Sequence, residues 1–105
     1  MRRGDVFVLR LPKGVGHEQQ GKRYGVVVQA DPFLPRSVVL VAPTSTSAKP
    51  ASFRPEVEVD GATTRVLVEH VGAVDVTRLG HLAGCLTPEE LWGVDMALQV
   101  VLGLR

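Results

Sequence analysis

The chain has 105 residues, 45% of them apolar and 22% charged, with a net charge of +1. One domain of this size buries about two thirds of its unfolded surface, enough for a single modest core. No apolar run approaches the roughly 20 residues that span a bilayer, no apolar stretch after "MRRGDV" reads as a secretory signal, and the lone Cys85 excludes an internal disulfide or a cysteine-rich metal site. A single cytoplasmic domain over 1–105, with no membrane association, is the expectation.

Asp5–Leu11 and Gly25–Gln29 are rich in β-branched residues and read as strands. Between them lies "GVGHEQQGKRYG" (Gly14–Gly25), a loop with a His, a Glu, two Gln, a Lys and an Arg. "ADPFLPR" carries two prolines and reads as a turn. Ser37–Pro43 is a third strand, followed by a Ser/Thr/Pro-rich loop. "EVEV" (Glu56–Val59) alternates, which turns Val57 and Val59 inward and both glutamates to water. "DGA" supplies a hairpin turn. "RVLVEHV" reads as a strand and "RLGHLAG" as a short one. Short, closely spaced strands separated by turn residues favour a small barrel or sandwich.

The C-terminal segment "CLTPEELWGVDMALQVVLGL" changes period. Thr87, Pro88 and Glu90 form a capping-box signal with proline at the first helical position. Leu91, Val94, Leu98 and Val101 share one helical face. A helix over about 88–102 follows. The tail "VVLGLR" is apolar and reads as core, and Cys85, in "AGCL", reads as a small buried hydrophobe.

Charge is uneven. Residues 1–36 hold seven Lys/Arg against three Asp/Glu, and residues 37–105 hold five against eight. Basic clustering of this kind marks either a polyanion site or a solvated surface. The three histidines, His17, His70 and His81, are far apart and show no metal-ligand spacing. The glycines of the first loop precede a strand, not a helix, so phosphate-loop logic does not apply. Neither a metal nor a cofactor is expected.

The first loop holds more chemistry than a turn requires. His17, Glu18, Lys22 and Arg23 offer a proton carrier, a carboxylate and two cations. Cleavage of a phosphodiester needs those types: a base for the attacking 2′-hydroxyl, an acid for the leaving 5′-oxygen, and a cation for the growing phosphorane charge. The same loop reads equally as a solvated, self-paired hairpin. Thr44 and Ser45 end the third strand, where hydroxyls either grip a phosphate or form turns. Glu69 and His70 interrupt an apolar strand, and period two puts them on opposite faces. That carboxylate either serves a site or guards an edge strand.

In this order the clusters resemble the MazF/PemK (Kid-like) toxin family. "RGDVFVLRLP" is similar to its opening strand, "GHEQQGKR" to its signature loop, "VVLVAPTS" to its strand ending in Thr-Ser, and "VEHVGAVDVTRLG" to its Asp/Glu-Gln segment. The resemblance covers essentially the whole chain. It implies a mainly β fold with a C-terminal helix, an SH3-like small barrel of the CcdB/Kid/MazF type. It also implies a homodimer that binds single-stranded RNA across its groove and cleaves it without metal, usually leaving a 2′,3′-cyclic phosphate and a 5′-hydroxyl. A cognate antitoxin blocks that groove.

Residue by residue, the resemblance makes Arg23 the cation on the transition state and Thr44 the hydroxyl on the scissile phosphate. His17 assists proton transfer, Glu18 is a required carboxylate and Glu69 a proposed base. Lys22, Ser45 and Thr46 are RNA contacts. Four departures stand out: Tyr24 replaces the usual Pro, Leu67 an arginine, His70 a glutamine and Gly72 a basic residue. The acid–base pair of Kid-like enzymes therefore does not carry over. Two alternatives are a CcdB-like toxin that binds gyrase without catalysis, using its final helix, and a plain SH3-like interaction module.

Overall fold

The computed structural model describes residues 1–10 and 23–104. Seven strands are present among them: β1 (Asp5–Leu9), β2 (Tyr24–Val27), β3 (Val38–Ser45), β4 (Glu56–Val59), β5 (Ala62–Val66), β6 (Gly72–Asp75) and β7 (Leu79–Cys85). One helix follows, α1 (Pro88–Val101). All pairings are antiparallel, in the order β4-β5-β3-β2-β1-β7. The sheet curls into a half-barrel that brings β4 back toward β7.

β3 is the hub. β2 runs along one side of it. On the other side its first half pairs with β6 (Val38 to Val41) and its end pairs with β5 (Thr44 and Ser45). The gap between β5 and β6 holds the turn Val68–His70. That fork positions the site described below.

A strand buried on both faces reads as a continuous apolar run rather than an alternation. β2 obeys this: Gly25, Val26 and Val27 are all buried. Val26 joins Val6, Ala42, Val66, Val68, Val94 and Ala97 in a core beneath α1. Val27 faces the other way and joins Val39, Val41 and Leu79 in a second cluster, flanked by Phe7, Leu9 and Val74. The close approach of β2 to β3 depends on Gly25, where an added Cβ would lie 2.5 Å from Cγ1 of the buried Val41. Valine cannot swing such a branch away without leaving its rotamer. Gly25→Ala is therefore expected to cost about 1–3 kcal/mol, the usual range for overpacking. Urea unfolding of the variant checks this, and a value within a few tenths of wild type would count against that packing.

The two most local expectations hold. Val57 and Val59 are buried while Glu56 and Glu58 are exposed, and the hairpin turn has positive φ at Asp60 and Gly61. At α1, Thr87 Oγ1 accepts from the Glu90 amide at 3.1 Å, and Glu90 Oε1 accepts from the Thr87 amide at 2.9 Å. A cap of this type is worth about 1 kcal/mol. The other carboxylate oxygen of Glu90 accepts from the Glu58 amide at 2.8 Å and ties the helix start to β4.

Four expectations are corrected. β7 is not short but runs for seven residues to Cys85. Cys85 is exposed, because it lies at the end of this edge strand and Leu86 takes the adjacent core position. The tail is core only at Val101, which packs against the main cluster, while Val100, Leu102 and Leu104 are 63%, 55% and 67% exposed. "RVLVEHV" is not one strand. β5 ends at Val66, and Val68–His70 form a 3₁₀ turn closed by the His70 amide on the Leu67 carbonyl at 2.9 Å. Val66, Leu67 and Val68 are buried in succession, which an alternating strand with one wet face cannot accommodate.

Candidate functional site

A cleft of about 280 Å³ opens over the second apolar cluster. Leu9, Val41 and Val74 supply its apolar floor, and Pro43 and Gly72 border it. Its polar lining is Arg23, His70 and Arg78. No carboxylate lines it among the described residues. An apolar floor with convergent cations is suited to an anionic ligand that also carries a flat apolar surface.

Each cation is placed by backbone contacts. Arg23 enters β2, and its carbonyl accepts from the Leu9 amide at 2.9 Å. Its Nη1 donates to the Thr44 carbonyl at 3.3 Å, a long bond and its one side-chain bond among the described residues, out of five N–H donors. Arg78 closes the 3₁₀ turn Val76–Arg78. Asp75 caps this turn, accepting from the Thr77 amide at 2.9 Å and the Thr77 hydroxyl at 2.8 Å. Those two bonds hold the Asp75 carboxyl below its ordinary range. Arg78 Nε then donates to the Arg10 carbonyl at 3.0 Å, while the Arg10 amide donates to the Arg78 carbonyl at 2.7 Å.

The hydroxyls at the end of β3 divide by strand alternation. Thr44 is buried, opposite Val66, and reaches the site through its backbone carbonyl. Ser45 is half-buried, with its Oγ 3.2 Å from Ser47 Oγ. Thr46 is exposed. His17, Glu18 and Lys22 lie outside the described residues.

Glu69 does not line the cleft. Its Oε2 accepts from Arg54 Nε at 2.7 Å, in an ion pair whose side chains are 26% and 22% exposed. Burial pushes its carboxyl up, but its own backbone N–H and the Arg54 guanidinium outweigh this and hold it below 4.5. Arg54 is itself fixed, with Nη1 on the Lys49 carbonyl at 3.1 Å and its guanidinium over the Phe53 ring at 5.3 Å. Glu69 and His70 thus separate as expected, by the 3₁₀ turn rather than by strand alternation. One goes to an ion pair and the other to the cleft.

Two cleft residues escaped the sequence reading. His70 registered as an interruption of an apolar strand and a departure from glutamine, with no role assigned to it. Arg78 lay in "VTRLG" without a chemical neighbour in sequence. The one signal that points to it is "DVT", an Asp-x-Thr turn motif just before a basic residue.

The molecule is thus a small β domain, a curled antiparallel sheet with a C-terminal helix and an arginine-lined cleft. Residues 2–102 match the family described as PemK-like, MazF-like toxin of type II toxin-antitoxin system, and the chain belongs to that family. It is 44% identical over 90 residues to the Mycobacterium tuberculosis protein named "Putative toxin Rv3098A/RVBD_3098A", covering 85% of this chain and 84% of that one. Its fold is similar to "Endoribonuclease in complex with its cognate antitoxin from Mycobacterial species", with a TM-score of 0.81 at 20% identity over 100% of this chain and 97% of the other. MazF from Deinococcus radiodurans superposes with a TM-score of 0.77 at 24% identity, over 98% and 96% of the two chains. At these identities the structural likenesses establish the fold.

Proposed function

We propose that this toxin is a sequence-selective endoribonuclease that cleaves single-stranded RNA by attack of the 2′-hydroxyl on the adjacent phosphorus, without metal. The observation that carries the reading is the pairing of Arg23 and Arg78 in one cleft with an apolar floor. A phosphorane develops negative charge on its non-bridging oxygens, and preorganised guanidinium donors stabilise it. The apolar floor suits a base unstacked from a single strand. The family and the fold shared with proteins named endoribonucleases point the same way. Within this reading the toxin is a cytoplasmic homodimer. A cognate antitoxin masks its groove, as the antitoxin-bound relative suggests.

Incubating the purified protein with a long RNA and mapping the cut sites and end groups tests this. Cleavage that survives EDTA, leaves cyclic phosphate ends and fails at a 2′-deoxy nucleotide is expected. Metal dependence or cleavage of the 2′-deoxy substrate would defeat the mechanism.

One observation favours a second reading. The apolar residues Trp92, Met96 and Val100 on α1, together with Leu102 and Leu104, are exposed. A toxin that poisons gyrase by contact would use this end of the molecule. A chain that binds gyrase and leaves all RNA intact would establish that reading instead.

A further inference from the structure

We infer that His70 is the general base of the cleavage reaction, accepting the proton of the attacking 2′-hydroxyl. The inference rests on the nuclease reading above and deepens it. Three observations carry it. His70 is exposed and lines the cleft with Arg23 and Arg78. Glu69, the carboxylate expected in this role, lines no part of that cleft, and Arg54 occupies it at 2.7 Å. The 3₁₀ turn that carries both residues therefore delivers an imidazole, not a carboxylate, to the phosphate site.

The chemistry closes without a metal. Neutral imidazole takes the 2′-hydroxyl proton as the 2′-oxygen bonds to phosphorus. The bond from phosphorus to the 5′-oxygen breaks, and that oxygen takes a proton from water. The imidazolium then returns its proton to solvent. Imidazole suits this exchange at neutral pH, whereas a carboxylate held at low pKa by a guanidinium is a weak base.

The charged groups around His70 are accounted for on each neighbouring element. Arg23 enters β2 and Arg78 closes the turn before β7, and both face the cleft. Glu69 pairs with Arg54 at 2.7 Å and also lies close enough to His70 for an electrostatic interaction, which lowers the Glu69 carboxyl further. α1 also packs on this turn, but its acids are engaged or exposed: Glu90 caps its own helix and the β4 amide, Asp95 pairs with Arg3 at 2.7 Å, and Glu89 faces solvent. His17 lies outside the described residues and is the competing base.

The test is the pH–rate profile of cleavage for wild type, Arg23→Ala, His70→Gln and His17→Gln, on a single-stranded RNA oligonucleotide carrying the mapped cut site. Wild type should lose rate about tenfold per pH unit on the acid side, as a base that must be unprotonated requires. His70→Gln should cleave about 100-fold or more slowly at neutral pH and should lose that acid limb, with an unchanged melting temperature. A merely structural role would slow the reaction without moving the limb. If His70→Gln keeps the limb, or if His17→Gln removes it instead, the inference is overturned while the nuclease reading stands. If folded wild type cuts no RNA, both fall together. If wild type cuts and Arg23→Ala does not, the cleft is confirmed and His70 is judged alone.

Discussion

Arg23→Ala is expected to reduce RNA cleavage by about 100- to 1,000-fold, the loss typical of removing one preorganised donor from a developing oxyanion. It should leave the fold intact. Arg23 is half-buried at the start of β2, and its one described side-chain bond is the 3.3 Å contact to the Thr44 carbonyl. Losing such a bond costs about 1 kcal/mol or less. The backbone link between Arg23 and Leu9 survives any side-chain change. Arg23→Lys separates charge from geometry. Lysine keeps the charge but not the planar fork, so partial rescue points to charge alone and none points to bidentate contact. Initial rates and thermal melts on the same preparations check both. A variant that melts normally and cleaves at the wild-type rate removes Arg23 from the mechanism.

Arg54→Ala is expected to destabilise the protein by about 2 kcal/mol or more at neutral pH. Breaking a fully buried pair by removing one partner costs about 3–5 kcal/mol, and the roughly one-quarter exposure of each side chain here reduces that figure. Glu69 Oε1 is buried without a partner among the described residues, so the variant would leave the carboxylate with little beyond its own backbone N–H and the nearby His70. The change also removes the bond to the Lys49 carbonyl and the stacking on Phe53.

The pH dependence has a definite sign. The folded-state pKa of Glu69 is depressed below 4.5. Its contribution to stability is therefore fully present above that value and is lost as pH falls through the folded pKa. In Arg54→Ala the depression weakens. The stability gap between wild type and variant should be widest near pH 7 and should narrow below about 4.5. Urea unfolding at neutral pH and near pH 4 reads this directly. A gap that is flat across this range would show that the ion pair contributes little beyond packing.

Local signals were legible in the sequence and correct. The capping box of Thr87 and Glu90, the alternation of "EVEV" and the turn at Asp60 and Gly61 each depend on residues within four positions of one another. The end of β5 was not legible. Whether Val66 to Val71 continues as strand depends on whether a neighbour remains to pair with it. β3 takes β6 and β5 on the same side, so the chain between them has no ladder to join and turns instead. Cys85 and most of the tail failed for a related reason. Apolar character states a preference for burial, not whether the sheet or helix at that point still has a covered side.

The candidate site divides the same way. The residue types of phosphodiester chemistry, and Arg23 as the cation at the mouth of β2, belong to the sequence itself, because a run of functional side chains beside a strand start is written locally. Which of those types converge is a tertiary matter. Only the forked pairing of β3 and the 3₁₀ turn beside it send Glu69 to Arg54 and His70 to the cleft. Only the Asp75-capped turn brings Arg78 across from a distant segment to meet Arg23. Convergence of this kind is set by which strand ends the curled sheet brings together, and strand order is a property of the pairing rather than of any stretch of sequence.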